Sequence, residues 1–141
     1  MAKEAVERFV PRLKKFVSSS VQEFKPEKNG DSTYKTTKDS EEILKRLDDK
    51  DFLIAFDENG KTFSTREFAS KVEAVQNEAA HKKVVFLIGG PYGLSDEIKK
   101  RANLTVSLSP MTFNSEVAIV VATEQIYRIH TVIAGHPYHN D

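Results

Sequence analysis

The chain has 141 residues, with 21 basic side chains against 21 acidic ones and no cysteine. That length suits one domain with a core of its own. Zero net charge argues against a sequence-blind polyanion coat, and the missing cysteines exclude a disulfide framework or a thiolate metal site. No apolar run approaches the roughly 18 residues that cross a bilayer, and "MAKEAVERF" lacks the apolar stretch of a signal peptide, so a cytoplasmic location is expected.

From the N-terminus, Val6, Phe9, Val10 and Leu13 form one apolar stripe at helical spacing, so residues 2–16 read as a helix. Pro11 interrupts it, which predicts a kink or a late start. The same stretch is locally basic, with Lys3, Arg8, Arg12, Lys14 and Lys15 against Glu4 and Glu7. Residues 17–24 read as a weak strand. Residues 25–38, "KPEKNGDSTYKTTK", read as a long polar loop. A short helix is expected from Ser40 to Leu47, capped by Asp39 or Ser40. "FLIAF", residues 52–56, is a short buried strand, and "DENGK" after it has turn chemistry.

Ser64 followed by Glu67 is a capping box opening a helix to about Ala80. "VVFLI", residues 84–88, is the strongest strand, apolar throughout as if covered on both faces. Gly89, Gly90 and Gly93 then place three of the chain's six glycines within five residues. Ser95 caps a helix through Arg101, whose end carries the cluster Lys99, Lys100 and Arg101. Thr105–Leu108 is another strand. Ser115 opens the last long helix, ending near Ile133 with Gly135 as C-cap.

Strands alternating with helices imply an α/β fold with a mostly parallel sheet flanked by helices. Ligands of such sheets sit at the carboxyl ends of the strands. Residues 57–60, 89–93 and 109–114 leave the sheet there. "GGPYGLS" is neither a P-loop nor a dinucleotide fingerprint, since the lysine and the glycine spacing are absent. Taken alone, Gly89-Gly90-Pro91 reads first as a structural turn and second as a cradle. His81, His130, His136 and His139 show no metal-site spacing, and no metal is expected; His130 reads as a surface residue. Strand-end loops rich in glycine, serine and backbone donors, with little charge, suit an uncharged heterocycle such as adenine better than a polyphosphate.

"FLIGGPYGLS", "SLSPMTF", "EQIYR" and the terminal "GHPYH" occur in one order and spacing. With them the chain resembles the ribosomal RNA large subunit methyltransferase H family, small SPOUT methyltransferases whose C-terminal segment forms a trefoil (α/β) knot. The likeness is strong over residues 51–141 and weaker over 1–50. It implies S-adenosylmethionine as cofactor, N3 methylation of a pseudouridine in large-subunit (23S) rRNA, and a homodimer acting on the ribosome. Carried over by position, the cofactor contacts are Phe56, Gly89, Leu108, Ser109, Pro110, Met111, Thr112 and Phe113. Tyr138 and His139 face the target nucleotide, with His139 as base or RNA contact. Tyr127 and Arg128 read as structural or dimer residues. The alternatives are another RNA substrate, such as a tRNA, and a non-catalytic knotted ribosome-binding module. The family opens with a strand before its first helix, which residues 1–141, read as a single SPOUT-like domain, are expected to lack. Where the family shows Pro-His, a basic residue in the following helix and a basic residue after Tyr-His, this chain has Asn114-Ser115, Ile119 and Asn140.

Overall fold

The computed structural model describes residues 1–89 and 93–141. The expected turn at Gly90 and Pro91 therefore lies outside the described residues. Eight elements follow in order: α1 (Ala2–Leu13), α2 (Ser32–Lys45), β1 (Phe52–Thr62), α3 (Thr65–Gln76), β2 (Val84–Ile88), α4 (Asp96–Arg101), β3 (Leu104–Ser107) and α5 (Ser115–Ala134). Among the described residues the strands form one parallel sheet in the order β2-β1-β3. The α/β class read from the sequence is therefore observed, with β1 at the centre.

Alternation along β1 divides the core. Ile54 and Phe56 face α3 and α5, with Phe68, Val72, Ala122 and Ile129 around them. Leu53 and Ala55 face the other way, toward α2 and α4, with Ile43, Leu44, Leu87 and Ile98. Leu53 and Ile54 are both fully buried, which favours folding by about 1.5–3 kcal/mol each. α1 forms an outer layer on α5, where Phe9 and Phe16 lie 5.6 and 6.2 Å from the Tyr127 ring.

Several boundaries differ from expectation, each for a local reason. α1 begins at Ala2 and ends at Leu13, so Pro11 falls in its last turn rather than its middle. Residues 17–24 make no strand; Phe24 instead packs against the α2–α4 side of the core. Half of the expected loop at 25–38 is helix. Asp31, not Asp39 or Ser40, caps α2 by accepting from the Tyr34 amide at 2.8 Å. The Thr36, Thr37 and Ser40 hydroxyls donate to carbonyls four residues back, so this polar stretch satisfies its hydroxyls on its own helix.

β1 also runs past the expected turn at "DENGK". Phe56 and Lys61 both sit opposite Val106, so residues 57–60 bulge out between two pairings with β3. Gly60 permits this. A Cβ there would lie 2.7 Å from the Thr105 carbonyl atoms and 2.8 Å from the Val106 nitrogen. α3 opens with the expected capping box but ends at Gln76, short of Ala80. Ser95 caps α4, and Gly135 closes α5 in the left-handed region at φ 72°. α5 is the one helix among the described residues long and apolar enough to cross a membrane, so its apolarity exceeds what run-counting gave. Here it lies between α1 and the sheet.

Candidate active site

Because all three strands are parallel, their carboxyl ends share one edge. A cavity of about 210 Å³ opens there on the α3–α5 face. Phe56 at the end of regular β1 and Leu108 just past β3 both line it, with Phe63 and Phe68, and with Val121 and Gln125 of α5. The lining mixes apolar side chains with Ser64, Thr65, Ser107 and Gln125, and no lysine or arginine lines it among the described residues. Gln125 offers an amide whose oxygen accepts from the Thr65 hydroxyl at 2.9 Å.

The other residues read from the resemblance are distributed differently. Gly89 faces the opposite side of the sheet and lines a recess of only about 20 Å³ with Ser40, Leu94 and Ser95. A Cβ on Gly89 would lie 2.9 Å from the Leu94 Cδ2, a movable side-chain end. Ser109 to Phe113 form the loop between β3 and α5 and do not line the cavity. The loop is stitched locally: Ser107 Oγ donates to the Ser109 carbonyl at 2.8 Å, and Ser109 Oγ accepts from the Met111 amide at 3.0 Å. Thr112 donates to Glu58 at 2.5 Å, which ties this loop to the β1 bulge. Pro110 and Thr112 are exposed, Met111 is 75% exposed and Phe113 is half-buried.

The tail is held against α5 by residues one turn apart. Glu124 accepts from Arg128 Nε at 2.7 Å and from the Tyr138 hydroxyl at 3.1 Å. The Arg128 guanidinium lies 4.8 Å over the Tyr138 ring, and Tyr127 meets that ring edge-on at 4.8 Å. Arg128 Nη1 sits 3.1 Å from His139 Nδ1. Arginine can only donate, so Nδ1 accepts and Nε2 carries the proton. That N–H points to Asp141, 3.0 Å away, which Arg66 of α3 also holds at 2.6 Å. Burial, then the charge of Glu124, raises the Tyr138 pKa above its ordinary value, so its hydroxyl stays a donor at neutral pH. The hydrogen bond to Glu124 raises that of Arg128, and the one to Arg66 lowers that of Asp141.

Sequence reading missed Glu124, Arg66 and Asp141 as holders of this tail. Glu124 and Arg128 at i, i+4 look like a surface ion pair; only the returning tail shows what they hold. His130 is a correction: it is buried, not at the surface. Its Nδ1 donates to the Ile126 carbonyl at 2.7 Å and its Nε2 accepts from the Gln76 amide at 2.9 Å, and burial lowers its pKa. His136 packs edge-on against Phe16 at 5.5 Å.

Cavity and tail meet on α5. Gln125 lines the cavity, the adjacent Glu124 holds Tyr138, and the Gln125 amide donates to Glu124 at 3.1 Å.

Comparison with known proteins gives the family. The family described as "Predicted SPOUT methyltransferase" matches residues 1–139. A "Ribosomal RNA large subunit methyltransferase H" from Bdellovibrio bacteriovorus is 37% identical over 141 residues, covering 99% of this chain and 90% of the relative. Proteins of the same name from Christiangramia forsetii and Flavobacterium johnsoniae are 39% and 40% identical over 126 residues, covering 89% of this chain and 80% of each relative.

Proposed function

The chain belongs to the SPOUT methyltransferase family, and on that premise we propose that it methylates large-subunit ribosomal RNA, using S-adenosylmethionine, at N3 of a pseudouridine of the 23S type. The observation that carries the reading is the junction on α5, where the wall of an uncharged cavity and the clamp of a Tyr-His tail are neighbouring residues. An enzyme for methyl transfer must hold donor and acceptor at reactive distance, and such positioning can supply about 7–11 kcal/mol of the barrier.

The residues present fit the cofactor. Phe56 and Leu108 give apolar faces for an uncharged ring, with Gln125 beside them. At about 210 Å³ the cavity lies below the usual range for small-molecule sites of roughly 300–1,000 Å³, so it suits one end of an extended molecule. The backbone of Ser109, Pro110, Met111, Thr112 and Phe113, in the loop that leaves the same sheet edge, would receive the rest, whereas Gly89 opens on the other face of the sheet. The cofactor supplies an electrophilic methyl on a sulfonium.

The acceptor imide must lose its N3 proton. His139 Nδ1 carries the lone pair able to take it, provided Arg128 turns away from that nitrogen. Tyr138 remains protonated, and its hydroxyl, whose proton goes to Glu124, can orient the nucleotide as an acceptor. A trefoil knot formed by the C-terminal segment and a homodimer complete the proposal. The half-buried apolar run from Val117 to Val121 on α5 supports a face for a second copy.

Titration calorimetry with S-adenosylmethionine, followed by methylation of ribosomes with mass mapping of the product, tests the reading. Absence of cofactor binding refutes the enzyme. Binding without methylation of any RNA turns it into a non-catalytic module. His139→Ala is expected to lower single-turnover methylation while cofactor affinity holds; an unchanged rate removes its role as base.

A further inference from the structure

Among the described residues, eight of the 21 cations of this neutral chain are held by acidic side chains or backbone carbonyls. Lys38, Arg46, Arg66, Lys82, Lys83, Lys99 and Arg128 form ion pairs, and Arg101 bonds the Asp48 and Asp51 carbonyls. α1 and the turn after it carry three that are not so held and that share one flank. Arg8 and Arg12 of α1 and Lys15 just past its end follow one another at i, i+4 and i+7, all exposed. None of the three side chains has a hydrogen bond or ion pair among the described residues. Glu4, one turn before Arg8 on the same flank, is taken up by the N-terminal ammonium. The row spans about 10 Å along the helix axis at 1.5 Å per residue.

The adjoining apolar face of α1 fixes where the row lies. Phe9 and Phe16 pack on Tyr127, whose ring meets Tyr138, and Phe16 also meets His136. The free cations thus flank the helix that buttresses the tail on α5. Three unpaired cations in register suit an extended polyanion passing the tail, since each neutralised phosphate releases counterions.

We infer that the Arg8–Arg12–Lys15 row is a docking surface for the phosphodiester backbone of the RNA, guiding it to the Tyr138–His139 tail. This rests on the proposed function for the identity of the polyanion. The surface positions RNA and carries no sequence information, as backbone contacts do.

The test uses the full chain and large-subunit ribosomal RNA, with affinity measured from 50 to 200 mM salt. The Arg8→Gln/Arg12→Gln/Lys15→Gln variant should lose about 2–3 from the log–log salt slope, at roughly 0.7–0.9 per phosphate contact removed. Its S-adenosylmethionine affinity and thermal midpoint should match wild type, which separates a docking defect from misfolding. A control, Lys28→Gln/Lys45→Gln/Lys71→Gln, removes the same charge from other exposed sites and should change the slope far less. An unchanged slope in the first variant overturns the inference, as does an equal loss in the control, which would mean net charge alone. Wild type that binds RNA through this row yet methylates none refutes the enzyme and leaves the surface standing. Wild type that methylates while the row variant binds normally refutes the surface alone.

Discussion

The two faces of the sheet are built from the same strands and behave differently. Toward α2 and α4 the side chains are aliphatic, with Leu53, Ala55, Leu87 and Ile98 closing to leave a recess of about 20 Å³. Toward α3 and α5 they are rings. Phe56, Phe68 and Phe86 meet at 6.2–6.4 Å, Phe63 stacks on Phe68 at 6.0 Å, and a cavity of about 210 Å³ remains at the strand ends. Small branched groups interdigitate, whereas rigid rings, packed partly edge-on and partly stacked, leave a gap where the aromatic cluster ends. One face therefore holds the fold together, and the other combines that task with a place for a ligand.

The largest expected effect breaks this contrast directly. Leu53→Ala and Phe56→Ala should each destabilise the protein, by about 2–5 and about 3–5 kcal/mol respectively, in chemical denaturation. Only Phe56→Ala should also weaken S-adenosylmethionine in calorimetry. Equal affinities for the two variants would dissolve the distinction between the faces. Next, Gly60→Ala forces a methyl onto the β3 backbone and should cost about 1–3 kcal/mol of unfolding free energy, while Gly93→Ala meets no atom within 4 Å and strains only its positive φ. Ser64→Ala removes the capping box that starts α3 beside the cavity, for about 1 kcal/mol.

The finest probe is pH. Buried His130 on the aromatic face has a lowered pKa, so the native state resists protonation. Below the ordinary histidine value of about 6.5 the unfolded chain binds a proton that the folded chain refuses. Its contribution to stability is complete above that value and declines as pH falls through it toward the folded pKa. Thermal midpoints should fall more steeply from pH 7.5 to 5.5 in wild type than in His130→Gln; parallel profiles would count against the buried tautomer.

Much of this was legible wherever short-range chemistry decides. The Ser64–Glu67 box, the Ser95 cap and the αL Gly135 each need only neighbouring residues, and "VVFLI" needs only its own apolarity. What escaped depends on distant partners. Thr36, Thr37 and Ser40 look like loop residues until their hydroxyls turn back onto their own helix. "DENGK" looks like a turn until Gly60 lets β3 come close. His130 looks exposed until Gln76 crosses to it, and Glu124 looks like a surface acid until Tyr138 returns. In the cavity, Phe56 and Leu108 were within reach by resemblance, but Phe63, Thr65 and Gln125 converge only through the tertiary fold.

The central position of β1 bears on how the chain emerges from synthesis. Phe52 pairs with Val84, 32 positions later, and Ile54 with Leu104, 50 positions later. At about 5–20 residues per second the middle strand waits roughly 3–10 s for both neighbours. Non-local parallel pairing of this kind folds slowly. Throughout that interval Leu53, Ile54 and Ala55 lack the partners that bury them, flanked by Asp51 on one side and by Asp57 and Glu58 on the other. Those carboxylates act as gatekeepers against premature association, a duty discharged before the sheet exists.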